Sequence, residues 1–246
     1  MIAAISDIHG CSSKLYKILN ILSKKKPQKT IFCGDYVDRG PNSKEVVDLM
    51  LDYSKSHNSI FLLGNHDDFF KNFVFKENRY GAGVWDKQGG KETIKSFTGK
   101  YFSNVEISEK YLDLIDEKYL KFFKSLNKLY HVENNHIFVH AGLRDFSLPI
   151  EKQNTYRPEV NYSYIWVRNE MFEQENPYEN KVIVHGHTPV FILSRYDITP
   201  EKEDAPFFNY NKNNELISID IDTGACYGKK LSCLLIDNGE YDYISI

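Results

Sequence analysis

The sequence lacks the markers of most special classes, and each absence narrows the reading. Only four cysteines occur among 246 residues, at positions 11, 33, 226 and 233, and none forms a Cys-x-x-Cys pair. That argues against a disulfide framework and a thiolate-built structural zinc site, so free thiols are expected, and Cys11, which follows the Asp7 and His9 loop, is the one placed where it could lie near a metal. No apolar run reaches the roughly 20 residues that span a bilayer. The first residues read as a strand, not as a charged and then apolar leader, so the expectation is a soluble, cytoplasmic protein with no membrane partner. The formal net charge is only −3 and there is no long basic block, so nucleic acid is not an expected partner. There is neither an internal repeat nor a low-complexity linker. With 41% hydrophobic residues, the length suits one domain over residues 1–246.

What is present is a pattern that recurs. Ile31, Phe32 and Cys33 form an apolar run too short for a helix, ended by Gly34 and followed by Asp35, Asp38 and Arg39. Ile2–Ile5 likewise run into Asp7 and His9, and residues 60–63 into Asn65, His66 and Asp67. Residues 137–139 run into His140, and residues 182–184 into His185 and His187. Ligands in α/β sheets bind beyond the carboxyl ends of strands, so acids, amides and imidazoles at five such ends point to one site.

Between the early strands, Leu15, Ile18, Leu19 and Leu22 repeat at helical spacing after a Ser12 or Ser13 cap and before Pro27. Val46, Val47, Met50 and Leu51 do the same after Pro41, Asn42 and Ser43. This alternation predicts βαβ units and a largely parallel sheet in the first third. Residues 67–127 read as a mainly helical cap over the strand ends. The back half is expected to form a second sheet in which residues 216–221, 232–236 and 241–246 are antiparallel strands, broken by Asp237-Asn238-Gly239. Residues 195–215 are expected to form a long surface loop.

Carboxylate oxygen, imidazole nitrogen and amide oxygen are all ligands for divalent cations, and Asp7, His9, Asp35, Asn65, His140 and His187 offer all three. Six ligands exceed the needs of one open catalytic ion. Two ions sharing one carboxylate, with Asp35 the bridging candidate, would hold a hydroxide suited to in-line attack on phosphorus. Manganese is the first expectation for such mixed ligands, with iron and zinc as alternatives.

The motifs SDIHG, GDYVDRG, GNHD, HAG and GHTP, in that order, closely resemble those of the phosphoprotein phosphatase family of calcineurin-like metallophosphoesterases, including bacterial and phage members and symmetrical dinucleoside tetraphosphatases. The likeness extends to Trp166-Val167-Arg168 and to residues 221–225. It implies an α/β fold, a four-layer α/β/β/α sandwich with two central mixed sheets. It further implies that Asp7 and His9 hold one metal, Asp35 bridges, and Asn65, His140 and His187 hold the second. His66 would donate the proton to the leaving oxygen, Asp38 would orient it, and Arg39, Arg168 and Asn65 would bind the phosphate. His185 has no ligand role in the family, and a buried, hydrogen-bonded histidine is expected there.

On this reading the leading function is a dinuclear metal-dependent phosphatase acting on phosphoserine or phosphothreonine in proteins or peptides. A symmetrical bis(5'-nucleosyl)-tetraphosphatase acting on dinucleoside polyphosphates is the nearest alternative, and a non-catalytic scaffold of the same fold is an alternative of another class. Residues 85–97 are expected in the substrate wall. Tyr80 and Trp85 are the aromatics expected either to stack on a nucleotide base or to pack.

Overall fold

The computed structural model describes residues 1–80, 83–100, 112–154 and 157–246. The chain opens with β1 (Ile2–Ile5), α1 (Ser12–Lys25), β2 (Lys29–Phe32), α2 (Ser43–Ser54) and β3 (Ser59–Phe61), and the three strands pair in parallel. Helix α1 buries the expected Leu15, Ile18, Leu19 and Leu22. Its N-cap, however, is Cys11. The Ser12 hydroxyl, expected to cap the helix, instead donates to Glu45 Oε2 at 2.7 Å, tying α1 to α2.

The helical segment follows as α3 (Asn65–Val74), α4 (Gly90–Thr98) and α5 (Glu117–Ser125), with α4 packed on α2 and α3 on α5. The parts of the expected cap at residues 81–82 and 101–111 lie outside the described residues. Next come β4 (Tyr130–Glu133), β5 (His136–Val139), the short helices α6 (Tyr162–Ile165) and α7 (Asn169–Phe172), β6 (Val182–His185), β7 (Phe207–Tyr210), β8 (Leu216–Asp220), β9 (Ser232–Asp237) and β10 (Glu240–Ser245).

Two five-stranded mixed sheets result, ordered β10-β9-β1-β2-β3 and β4-β5-β6-β8-β7. The back half is therefore not one separate sheet. Strands β9 and β10 form the expected hairpin, but β9 pairs antiparallel with β1 and completes the first sheet, while β8 runs parallel to β6. The stretch expected as a loop contributes β7, an edge strand antiparallel to β8.

Burial explains the continuous apolar strands. In β1, Ile2 and Ala4 face the other sheet, in a core with Ile31, Phe138, Val184 and Ile219, while Ala3 and Ile5 face the helices. A strand covered on both faces needs apolar residues at successive positions, which erases the alternation of a half-exposed strand. Among the described residues, no helix is long and apolar enough to cross a membrane.

Candidate metal centre and phosphate site

The site lies in the loops just beyond β1, β2, β5 and β6 and at the N-terminus of α3. Asp7, His9, Asp35, Asp38, Arg39 and His187 all have positive φ, between 44° and 69°. A left-handed conformation costs an ordinary L-residue roughly 1–2 kcal/mol. Strain of this kind at six adjacent polar positions is held by the surrounding structure and is characteristic of a functional site.

Close backbone approach completes the frame. The backbone of Gly186 sits directly over Asp7, where a Cβ would lie 2.1 Å from Asp7 Oδ2. That oxygen accepts from the Ser6 hydroxyl at 2.6 Å and from the His187 N–H at 2.9 Å.

The ligand-type residues converge with their lone pairs facing inward. His9 Nδ1 lies 2.8 Å from the Val37 carbonyl and His140 Nδ1 lies 2.9 Å from the Cys33 carbonyl. A carbonyl only accepts, so each ring proton sits on Nδ1 and each Nε2 presents a lone pair. Around His140 Nε2 stand Asn65 Oδ1 at 3.0 Å and Asp35 Oδ1 at 3.4 Å, and His9 Nε2 stands 3.4 Å from Asp35 Oδ2. Among the described residues, His9 Nε2 and His187 Nε2 are buried without a hydrogen-bond partner. Buried acceptors gathered without donors fit a cation far better than they fit one another.

Among the described residues, two groups of mutually close ligand atoms emerge, His9–Asp35–His66 and Asp35–His140–His187, and Asp35 belongs to both. Asp7 joins less tightly, with Oδ1 3.9 Å from His9 Nε2. Burial, with neighbouring positive charge, pushes His9 and His187 well below the ordinary imidazole value, so both are neutral, as ligands must be. Burial alone would raise Asp35, but His140, His66 and His9 around it hold its carboxyl below the usual range.

His66 Nδ1 meets Asp38 Oδ2 at 2.7 Å, and its Nε2 lies 3.0 Å from Arg39 Nη2. A guanidinium only donates, so Nε2 accepts and the ring proton faces Asp38. Asp38 is fully buried and held from the helical segment: Trp85 Nε1 donates to Oδ2 at 2.8 Å and Oδ1 at 3.0 Å, and the Thr93 hydroxyl donates to Oδ1 at 2.6 Å. Thr93 Oγ1 also accepts from the Asp38 N–H at 2.8 Å. Gly89, at φ 101°, lets the start of α4 approach Arg39, where a Cβ would lie 2.4 Å from the Arg39 nitrogen. Arg39 Nη1 in turn donates to the Tyr227 hydroxyl at 2.6 Å.

On the other side of the centre, Arg168 Nη1 donates to the His187 carbonyl at 2.8 Å and to Thr188 Oγ1 at 3.0 Å. Every site residue expected from the motifs is thus brought to one locality.

Two partners, Asp67 and Tyr227, were given no role by the motifs. Asp67 accepts backbone N–H groups of Asp35 at 2.7 Å, Gly64 at 3.1 Å and Tyr36 at 3.0 Å, locking the loop after β2 onto the start of α3. Its place inside GNHD was the available signal. Tyr227 carried none beyond following residues 221–225.

Of the two aromatics expected either to stack on a base or to pack, Trp85 packs: its ring is buried against Phe70 and Phe73 and its Nε1 serves Asp38. The Tyr80 ring packs on Phe69 at 4.5 Å and its hydroxyl donates to Asp68 Oδ2 at 2.5 Å. Cys11 is a free thiol as expected and, among the described residues, belongs to neither ligand group. His185 is buried as expected and its Nδ1 lies 3.2 Å from the Gly186 carbonyl, but its Nε2 has no partner, and burial lowers its pKa to about 4.

Comparison with known proteins bears on the family and the fold. The calcineurin-like phosphoesterase family matches residues 1–219. The asymmetrical bis(5'-nucleosyl)-tetraphosphatase PrpE of Oceanobacillus iheyensis is 26% identical over 247 residues, covering 96% of this chain and 89% of its own. A symmetrical bis(5'-nucleosyl)-tetraphosphatase of Nitrosospira multiformis is 29% identical over 143 residues, 58% of this chain and 43% of its own. A solved serine/threonine phosphatase of Saccharomyces cerevisiae superposes with a TM-score of 0.54 at 16% identity, over 100% of this chain and 79% of its own, a likeness that bears on the fold alone.

Proposed function

The chain belongs to the calcineurin-like phosphoesterase family and is a phosphoester hydrolase, and from that premise we propose that it hydrolyses dinucleoside tetraphosphates at a dinuclear metal centre. The observation that carries the substrate class is the near-complete alignment with a relative bearing a tetraphosphatase name. Hydrolysis of phosphoserine or phosphothreonine, the substrate first expected from the motifs, has weaker support. The protein phosphatase comparison above rests on fold, and one fold serves many substrates.

In this reading Asp7 and His9 would hold one divalent cation, Asn65, His140 and His187 would hold the other, and Asp35 would serve both. The unpartnered Nε2 atoms of His9 and His187 and the place of Asp35 in both groups support two centres, while His66, also near His9 and Asp35, is engaged on both ring nitrogens by Asp38 and Arg39 and is left outside the ligand set. When bound, the cations supply Lewis-acid charge for the phosphoryl oxygens and make a water acidic enough to attack phosphorus at neutral pH.

The protein's own residues do the rest. Arg39 and Arg168 present planar guanidinium donors, whose several N–H groups grip phosphoryl oxygens better than an ammonium point charge. Arg39 is already anchored by Tyr227, and Arg168 by the His187 backbone, so both are oriented before substrate arrives. The amide of Asn65 stands at the start of α3, whose first N–H groups add positive potential towards the phosphate. His66, charged and freed from Arg39, gives its Nε2 proton to the departing oxygen as the bridging P–O bond breaks. Asp38 holds the opposite ring nitrogen and stabilises the charged imidazole before the transfer.

Parallel assays on metal-loaded protein test the substrate. The ratio kcat/KM for diadenosine tetraphosphate is expected to exceed that for phosphoserine and phosphothreonine peptides at least tenfold. ATP plus AMP would mark an asymmetrical cut and two ADP a symmetrical one. A higher value on phosphopeptides would overturn the proposal and leave the metal site standing.

A further inference from the structure

On the outer side of Arg168 opens a cleft of about 470 Å³ that the chemistry above does not use. Its walls include the rings of Tyr162, Trp166 and Tyr196, and its edge carries Glu170 and Glu173. We propose that this cleft binds a nucleoside end of the substrate, with the base against the aromatic rings, the ribose at the acidic edge and the adjoining phosphate on Arg168. The assignment deepens the dinucleotide reading and rests on it.

Position supports it first. Arg168 lines the cleft and is bonded to the His187 backbone, and the Trp166 ring centre lies 6.1 Å from that of His187. One ligand can therefore reach the metal-ligand cluster with a phosphoryl group while its base remains in the cleft. The rings are also held in place. Trp166 stands edge-on to Phe69 at 5.3 Å, and Tyr196 packs against Phe172 at 5.7 Å. A fixed aromatic wall stacks on a base without a further ordering cost at binding, and every base has a π-face to offer.

Charge supports it second. A cleft meant for a chain of phosphates would be lined by cations, yet this one sets two carboxylates beside a single guanidinium. Glu170 is partly offset by Arg144 at 3.8 Å, whereas Glu173 is exposed. Carboxylates repel phosphate and accept hydrogen bonds from ribose hydroxyls and exocyclic amines, so the uncharged end of a nucleotide suits this edge. Packing supports it third, since the Trp85 ring is buried against Phe70 and Phe73 and the Tyr80 ring is packed on Phe69 at 4.5 Å.

The test uses metal-loaded protein and non-hydrolysable probes, comparing α,β-methylene-ADP with methylenediphosphonate by titration calorimetry. The two share the diphosphonate and differ by the nucleoside. Wild-type protein is expected to bind the nucleotide about tenfold more tightly, and Tyr196→Ala and Tyr162→Ala to lose most of that preference. Both variants should raise KM for diadenosine tetraphosphate about tenfold and keep kcat/KM for p-nitrophenyl phosphate within twofold, which shows that they are folded. If wild-type protein fails to hydrolyse the dinucleotide but shows a nucleotide preference that the variants lose, the tetraphosphatase reading falls and the cleft assignment stands. No preference in wild-type protein, or a preference that survives both substitutions, overturns the cleft assignment whatever the hydrolysis assay gives.

Discussion

Replacing Thr93 by valine tests whether the helical segment tunes the chemistry or only covers it. The substitution conserves shape and deletes one hydroxyl at a fully buried position. That hydroxyl donates to Asp38 Oδ1 at 2.6 Å and accepts from the Asp38 N–H at 2.8 Å, so the variant removes a charge-assisted donor and orphans a buried N–H. Each loss is of the order of 1–3 kcal/mol, and together they should lower stability by about 3 kcal/mol. For a chain of this size that corresponds to a fall in Tm of about 6–12 °C. The kinetic consequence comes through His66, whose Nδ1 partner is the same carboxylate, 2.7 Å away. Loosening an orienting carboxylate should reduce kcat by about 10- to 100-fold, with KM and metal content little changed. Thr93→Ser keeps the hydroxyl and should restore most of the rate. The assays are steady-state kinetics on an alkyl phosphate, metal analysis and a thermal melt. A Thr93→Val protein that melts early but turns over within twofold of wild type would refute the positioning argument, as would a serine variant as slow as the valine one.

Three further outcomes are expected. Active protein should carry two divalent ions per chain, and Asp35→Asn should weaken both and nearly abolish activity; one tightly held ion at full activity in wild type would refute the shared-carboxylate arrangement. His66→Asn should keep its metals and slow alkyl phosphates far more than aryl phosphates with good leaving groups, because only a poor leaving oxygen needs the proton; equal slowing would remove His66 from the acid role. His185, with its pKa lowered by burial from 6.5 to about 4, stays neutral in the fold while the unfolded chain takes up a proton below pH 6.5. Its contribution to stability is therefore complete well above pH 6.5 and is lost as pH falls towards 4, by about 2 kcal/mol between pH 7.5 and 5. Urea denaturation of metal-free His185→Gln at pH 7.5 and 5 should show that much less acid destabilisation than wild type, and an unchanged difference would count against a buried neutral imidazole.

Much of the centre was legible because its signals are local. A short apolar run followed, directly or after glycine or another small residue, by Asp, His or Asn marks a strand, its exit loop and a candidate ligand within a few residues, as at Asp7, Asp35, Asn65, His140 and His187. The back half was less legible. The apolar run of residues 232–236 identifies a buried strand, but any open sheet edge satisfies its backbone, and only packing puts it beside β1 instead of in the second sheet. Residues 207–210 gave no clear alternation, since their positions in the edge strand β7 are only partly covered or exposed.

The chain's own order of residues thus determined the ligand chemistry and the strand ends that carry it, since side-chain type and short-range backbone conformation travel together along the sequence. Tertiary structure alone decided that Thr93 and Trp85 reach back 55 and 47 positions to hold Asp38, that Tyr227 anchors Arg39 across 188, and that Arg168 stands between the centre and an aromatic cleft. These contacts join residues from separate elements, and their geometry follows from how two sheets and their helices pack, which no local pattern encodes.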